Sequence, residues 1–454
     1  MHKPKIATLS LVLLMASCQP PSNTTENPVP EPSASVASPL PTPSASASAS
    51  PVEPSPEPTS TPMPEATATA TPEPTPEPSP EPTPESTPEP TPTPVSLLDF
   101  ERFKLIAGNG EQGRPQTGEQ ADDVSFPSTI TAIDVSPDNR IWILDGGPGI
   151  LGEVTPEIVR TTSQDGDIKY RLYWERQRDL QQNAGMVYDA NRNRFYLARK
   201  STHQIISLDP DSGDIVVLAG TGAPGYNGDR LAEEAQINQP TDVTVDAQGV
   251  IYFTDTGNHL LRKITTDGKL ITIAGQYIQD TRVEDEDDIP SFEPLGDTSG
   301  DGGPGREARL DRPTYLTVDA KGAIYFSSNA NTIRRLYNDK IDSYVGSGQV
   351  GYNGDNLPAH LSHLNKPQDL TVGVDGALYF IDRGNARIRR AAFVEGELLL
   401  QDLVGNGRKS EMIDSLLDPL QAELDPAAIA FDADHNLLVY DVAHWRIRRL
   451  EVKE

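Results

Sequence analysis

The residues able to do chemistry come in repeated sets rather than in one cluster. Gly225 to Asp229 reads GYNGD, Gly351 to Asp355 reads the same, and GDGGPG at Gly300 to Gly305 is a variant. Glycine permits tight left-handed backbone, and Asn and Asp side chains hydrogen-bond their own turns, so a structural role accounts for the motif. The same segments also offer aromatic and polar contacts to a glycan or peptide. They make Tyr226, Asn227, Asp229, Tyr352, Asn353 and Asp355 the ligand-binding candidates. In a second set, Asp145, Asp255, Asp382 and Asp441 each end an apolar run, with Asn258 and Asn385 three residues after two of them. Arg199 and Ser328 stand at that place in two further copies. A catalytic residue is needed once, so recurring carboxylates are assigned to turns or to contacts between repeats. The pairs Arg334 and Arg335, Arg389 and Arg390, and Arg448 and Arg449 are read as their partners.

The elements that must position these residues are strands. From Asn238 to Gly275, β-branched and aromatic runs at Asp242 to Val245, Ile251 to Phe253, Leu260 to Ile264 and Leu270 to Ala274 are separated by Gly- and Asp-containing turns. That pattern predicts a four-stranded antiparallel meander. Similar stretches begin near Asp311, Asn365, Asn183 and Phe126, the last with ITAIDVS, RIWILD, ILGEV and YRLYW as its strands. A sixth, from Leu424, has only three strands before the chain ends, and FKLIAGNG at Phe103 to Gly110 matches the missing fourth. The expectation is an all-β, six-bladed β-propeller over residues 98–454. Its N-terminal strand completes the last blade and removes the open sheet edges.

In a meander, alternate turns fall on opposite rims. The turns DAQG, DAKG, VDG, TTDG and YNDK are short, whereas the other rim holds the insertions Asn109 to Ser125, Thr221 to Gln239, Gln276 to Arg312, Ser347 to Lys366 and Asn406 to Asp425. Recognition is assigned to this loop-rich face, because loops on a rigid scaffold commonly carry it. The N-terminal strand is expected to enter from the opposite face.

AGTGAPGYNGD, N-x-P, the apolar run ending D-x-G-N, and RIRR together resemble the NHL-repeat proteins, specifically bacterial NHL propellers. The resemblance implies a six-bladed propeller but no single activity, since the fold hosts binding proteins and enzymes. An amidating lyase of this fold uses His-ligated zinc, which directs attention to His203, His259 and His444. They fall in different repeats, and one tetrahedral zinc with bonds near ~2 Å does not reach all three. His360 and His363 form an isolated H-x-x-H. The acidic stretch Glu284 to Asp288, with Asp297 and Asp301, is oxygen-rich but lacks EF-hand spacing, so it reads as a solvated loop rather than a Ca²⁺ site. No cofactor is expected, with calcium or another divalent ion as the alternative. No G-x-S-x-G elbow or Walker loop is present.

Residues 1–18 combine Lys3 and Lys5 with the apolar run Ile6 to Ala16, too short for a span and fitting a secretory signal. Leu14 to Cys18 resembles the lipobox of bacterial lipoproteins, with Met15 an imperfect match, which implies lipidation at Cys18, the single cysteine. Residues 19–97 are rich in Pro, Ser, Thr, Ala and Glu, the composition of a disordered, extended linker. Fully stretched it would reach on the order of 200 Å at ~3.1 Å per residue. The chain has a formal charge of −29, and residues 1–100 hold two Lys against ten Glu and one Asp, which leaves most of that charge on the propeller. So acidic a domain is a poor match for nucleic acid. The functional expectation is an exported, envelope-anchored binding module for protein or carbohydrate. The alternative is a metal-dependent hydrolase or lyase, lactonase-like or amidating-lyase-like, with its site in the central channel.

Overall fold

A computed structural model describes residues 97–113, 123, 125–145, 157–161, 163–164, 167–168, 171–173, 183–277, 299–409 and 418–453. Cys18, the linker up to residue 96, Glu284 to Asp288 and Asp297 lie outside the described residues, as do the side chains of 145–184. The chain divides into the units Met1–Thr87 and Pro88–Glu454, and the second contains all of the strands that follow.

Six antiparallel sheets of four or five strands succeed one another among the described residues. Sheet one comprises Ile130–Val135, Ile141–Asp145, Glu157–Thr161 and Arg171–Tyr173, and sheet two Asn183–Asp189, Arg194–Arg199, Gln204–Leu208 and Ile215–Ala219. Sheet three holds Val243–Val245, Ile251–Asp255, Leu260–Ile264 and Lys269–Ala274, with Arg230–Leu231 added at its outer edge. Sheet four holds Leu316–Val318, Ile324–Ser327, Ile333–Tyr337 and Lys340–Val345. Sheet five holds Pro367–Val372, Leu378–Asp382, Arg387–Val394 and Glu397–Val404, with Leu357–Pro358 at its edge. Sheet six combines Pro426–Phe431, Leu437–Asp441 and Arg446–Val452 with Phe100–Ala107.

The first strands of the sheets touch in sequence order, and the sixth returns to the first. That closed order makes the domain a β-propeller. Sheets two to six are described with their side chains except at Asn183 and Ala184, whereas sheet one is described beyond Leu144 only through its backbone. Complete blades therefore number five on that basis, one fewer than the six read from the sequence. The third strand of sheet one also differs from expectation: Glu157–Thr161 pairs with Ile141–Asp145, and the apolar run at Ile150 to Val154 lies outside the described residues. A small hairpin of Ser163–Gln164 and Asp167–Ile168 separates this third strand from the fourth in sequence.

A sheet with two apolar faces must be covered on both, and the apolar clusters do this between neighbours. Ile205, Ala235, Phe253 and Leu270 join sheets two and three, and Leu261, Phe326 and Ile341 join three and four. Full burial of Phe253 and Phe326 stabilises the domain by about 2 to 3 kcal/mol each. The short turns have a common mechanism: Asp246 accepts the Val250 N–H at 2.9 Å while Gly249 takes φ 88°, where a side chain would be strained.

The N-terminal strand runs antiparallel to the C-terminal one, with Leu105 opposite Arg448 and Ala107 opposite Ile447. Just before it, the Leu98 N–H donates to Asp375 in the first turn of sheet five, and the Leu98 carbonyl accepts from Arg390 at 2.6 Å. The chain therefore enters on the short-turn face.

Candidate functional site

Buried arginines organise the loop-rich face. In sheet three Arg262 has no exposed side-chain surface and donates to the carbonyls of Gln236, at 3.2 Å, and Gly228, at 2.9 Å. Its Nη1 lies 3.5 Å from Asp255, whose carboxylate also accepts from the Asn238 N–H and the Asn258 amide. Asn258 reaches on to the Gly225 carbonyl at 2.8 Å. Sheet five repeats the arrangement with Arg389, Asp382 and Asn385 holding the carbonyls of Gly354 and Gly351. Burial raises Asp255 and Asp382 to about 6, because an arginine at 3.4 to 3.5 Å only partly offsets desolvation. In sheet four, where Ser328 replaces the carboxylate, Arg334 instead pairs with Asp301 of the GDGGPG variant, which also takes the Ser343 N–H. The recurring carboxylates of sheets three and five thus clamp loops. The side chain of Asp145 lies outside the described residues, and Asp441 accepts from the Asp425 N–H and His444.

Strand alternation corrects the reading of the arginine pairs. In the first two pairs, Arg334 and Arg389 turn toward the loop network, because adjacent residues in a strand face opposite ways. Arg390 instead contacts Gln401 and Leu98, and Arg449 contacts Glu451.

The six ligand candidates are drawn into the same clamps. Asn227 bonds the Glu234 carbonyl and Gln236 N–H, and Asn353 bonds the Leu361 carbonyl and His363 N–H. Asp229 accepts from Thr272 and Arg306, and Asp355 from Asn356 and Asp402. Tyr226 stacks on Tyr277 at 4.4 Å. Tyr352 lies over Arg387 at 3.9 Å and donates to Asp402, leaving its ring 40% exposed. The two tyrosines contact third- and fourth-strand residues or the loop beside them, not the first strands.

The histidines also fasten neighbouring repeats. Gln239, Arg312 and Lys366 precede the first strands of sheets three to five at positive φ, and their N–H groups donate to His203 Nδ1, His259 Nδ1 and Asn331 Oδ1 at 3.0, 3.2 and 2.9 Å. Burial lowers the pKa of His203, which keeps Nδ1 free to accept. Among the described residues no three His, Cys, Asp or Glu side chains gather as a metal would require.

On or beside the first strands stand three carboxylates that the sequence reading passed over: Asp242, which is buried, and Asp134 and Asp369, which are half-buried, in sheets three, one and five. Each reaches across to the next sheet, accepting the N–H of Tyr188 at 2.6 Å, Leu316 at 2.8 Å and Ile429 at 2.8 Å. Burial is the largest influence on all three, and it raises Asp134 to about 6, Asp369 to about 7 and Asp242 well above the usual range. Repulsion from Asp134 adds to Asp369, and from Asp369 to Asp242, so the three sense one another across the axis.

A cavity of about 590 Å³ opens among the starts of these first strands. Thr131, Thr241, Thr314, Gln368, Lys200 and Lys366 are among its lining residues, so five sheets contribute. None of the six ligand candidates lines it. The signal was present in PTD, PTY and PQD, which follow the N-x-P or D-x-P steps at residues 240, 313 and 367.

No family model matches the chain. NHL repeat-containing protein 2 of Bos taurus is 26% identical over 285 residues, covering 59% of this chain and 38% of that protein. Its Homo sapiens counterpart is 24% identical over 199 residues, covering 40% and 26%. With the meander, the ring closure and these repeats together, the assignment follows. The domain is an NHL-repeat β-propeller. The NHL match spans well under half the length of those relatives. Among solved structures, a Bacteroides thetaiotaomicron protein of unknown function superposes at TM-score 0.54 with 16% identity, covering 78% of this chain and 76% of that one. An auxiliary nutrient binding protein of the same organism gives 0.53 at 12%, with the same coverage. At such identities they establish only that the NHL domain shares their propeller fold.

Proposed function

We propose that this NHL propeller is a binding module whose ligand, a carbohydrate or a protein segment, enters the axial mouth on the loop-rich face. The observation that carries the reading is the cavity itself: its volume lies within the range of small-molecule sites, and five sheets line it with hydroxyl, amide and ammonium groups. The named nutrient-binding neighbour is consistent with such use of the fold. Six blades are part of the reading, supported by the six sheets and the closed order of first strands. The enzyme alternative places metal-binding carboxylates on the axis. Asp134, Asp242 and Asp369 do approach it, but each already accepts backbone N–H bonds that brace adjacent sheets. That engagement favours binding over hydrolysis or lysis. The rings of Tyr226 and Tyr352 remain proposed as contacts of the outer loops with a larger ligand. We further propose that Cys18 carries a lipid and that residues 19–97 tether the propeller in the cell envelope with its mouth outward.

The test uses the purified full chain against an array of envelope glycans and peptides. Thr314→Trp, which fills the mouth, is expected to abolish capture while leaving the melting temperature within a few degrees of the parent. Capture that survives this substitution would move the site elsewhere.

A further inference from the structure

The lining of the axial mouth is lopsided in charge. In a chain with 67 acidic and 38 basic residues, no Asp or Glu among the described residues lines the cavity, whereas Lys200 and Lys366 both do. Among the described residues neither ammonium has a carboxylate within ion-pair distance. The two come from different sheets: Lys200 follows the second strand of sheet two, and Lys366 precedes the first strand of sheet five. The backbone at Lys366 is held in place, since its own N–H is fixed by Asn331 at 2.9 Å and that of Asn365 by Asp382 at 2.8 Å. The lining also includes Thr241, Asn329 and Gln368, residue types whose side chains can exchange hydrogen bonds with hydroxyl groups.

From this we infer that the ligand is a polyhydroxylated anion, a sugar bearing a carboxylate or a phosphate, with its acidic group met by Lys200 and Lys366 and its hydroxyls by the threonine and amide side chains. The inference rests on the mouth being the ligand seat. A net-negative domain repels anions at long range, so a pair of unpartnered lysines inside a cavity is the local feature that offsets this repulsion and selects for charge. Charge-assisted hydrogen bonds are also roughly twice as strong as neutral ones, which concentrates discrimination on the anionic group.

The experiment titrates the full chain calorimetrically with trigalacturonate, glucose 6-phosphate and the neutral maltotriose. At least one anion is expected to bind about tenfold more tightly than maltotriose, a factor that matches one charge-assisted contact. Which anion wins separates the carboxylate from the phosphate source. The double variant Lys200→Gln, Lys366→Gln should erase that preference, whereas Lys321→Gln, in a short turn of the opposite face, should leave it. If maltotriose binds as tightly as both anions, or the double variant keeps the preference, the charge inference is overturned and the mouth remains the seat. If none of the three binds, the inference falls, and the reading of the mouth as a sugar seat falls with it.

Discussion

At the scale of single residues, this protein uses chemically versatile side chains as fasteners. His203 is the clearest case, because its Nδ1 accepts the N–H of Gln239, a residue at φ 49° that begins the approach to the next sheet. Asn331 does the same for Lys366, and Asn tolerates the positive φ of 54° that His203 and Asn331 both adopt. His203→Asn should therefore retain most of the stability that His203→Ala loses, about 1 to 2 kcal/mol from a buried donor left unmet. Urea denaturation midpoints of the two variants decide this, and an Asn variant no better than Ala would remove the fastening role. The same residue type shows the limit of reading chemistry from composition. Three histidines in equivalent hairpins are compatible with zinc on paper, but the ring geometry sends His203 and His259 each to the next repeat and His444 to Asp441 of its own sheet.

At the scale of elements, the first strands carry the greatest electrostatic tension. Asp134, Asp242 and Asp369 have folded-state pKa values raised by burial above the unfolded value near 3.8. Between about pH 4 and pH 7 the folded state therefore holds more protons than the unfolded one, and stability must fall as pH rises through that window. The change is on the order of 4 kcal/mol for a carboxylate such as Asp369, raised to about 7. Comparing unfolding free energies at pH 5 and pH 8 for the parent and Asp369→Asn isolates this contribution, since the variant cannot titrate. An equally steep decline in both would assign the pH dependence to other groups. Asp255 and Asp382, raised for the same reason, act in the same direction. The turns at Asp246 and Asp319 could be anticipated from Asp and Gly spacing alone, because each closes within five residues. The added edge strands Arg230–Leu231 and Leu357–Pro358 could not, because their partners lie in the outer strands about 40 residues away.

At the scale of the whole molecule, ring closure links the two ends of the folded unit. Phe103, almost fully buried between sheets five and six, is part of the strand that pairs with Arg446–Val452. Deleting residues 100–107 exposes the edge of sheet six and its apolar neighbours, so the truncated chain is expected to aggregate or to melt at least 10 °C lower, well beyond the effect of one lost side chain. A truncated chain that melts with the parent would mean the ring does not depend on this closure. Anchoring is tested at the same scale: Cys18→Ser should move the protein from the membrane fraction to the soluble one, and an unchanged distribution would count against lipidation. The proposed outward-facing mouth rests on the entry of the chain at Leu98 beside Asp375, on the short-turn face.

Repeat periodicity by itself determined the meander, the propeller class, the pairing of first strand with last, and the division into loop-rich and short-turn faces. Each of these follows from local turn chemistry or from counting strands. Only the tertiary structure decided which polar residues are consumed in holding loops and which are left to face a ligand. Asn227 and Thr314 both read as exposed polar residues along the chain, yet one is bonded inside its loop and the other lines the axial mouth. The physical reason is that the mouth is assembled from residues that five sheets contribute. Residues far apart in sequence become neighbours only when the ring closes.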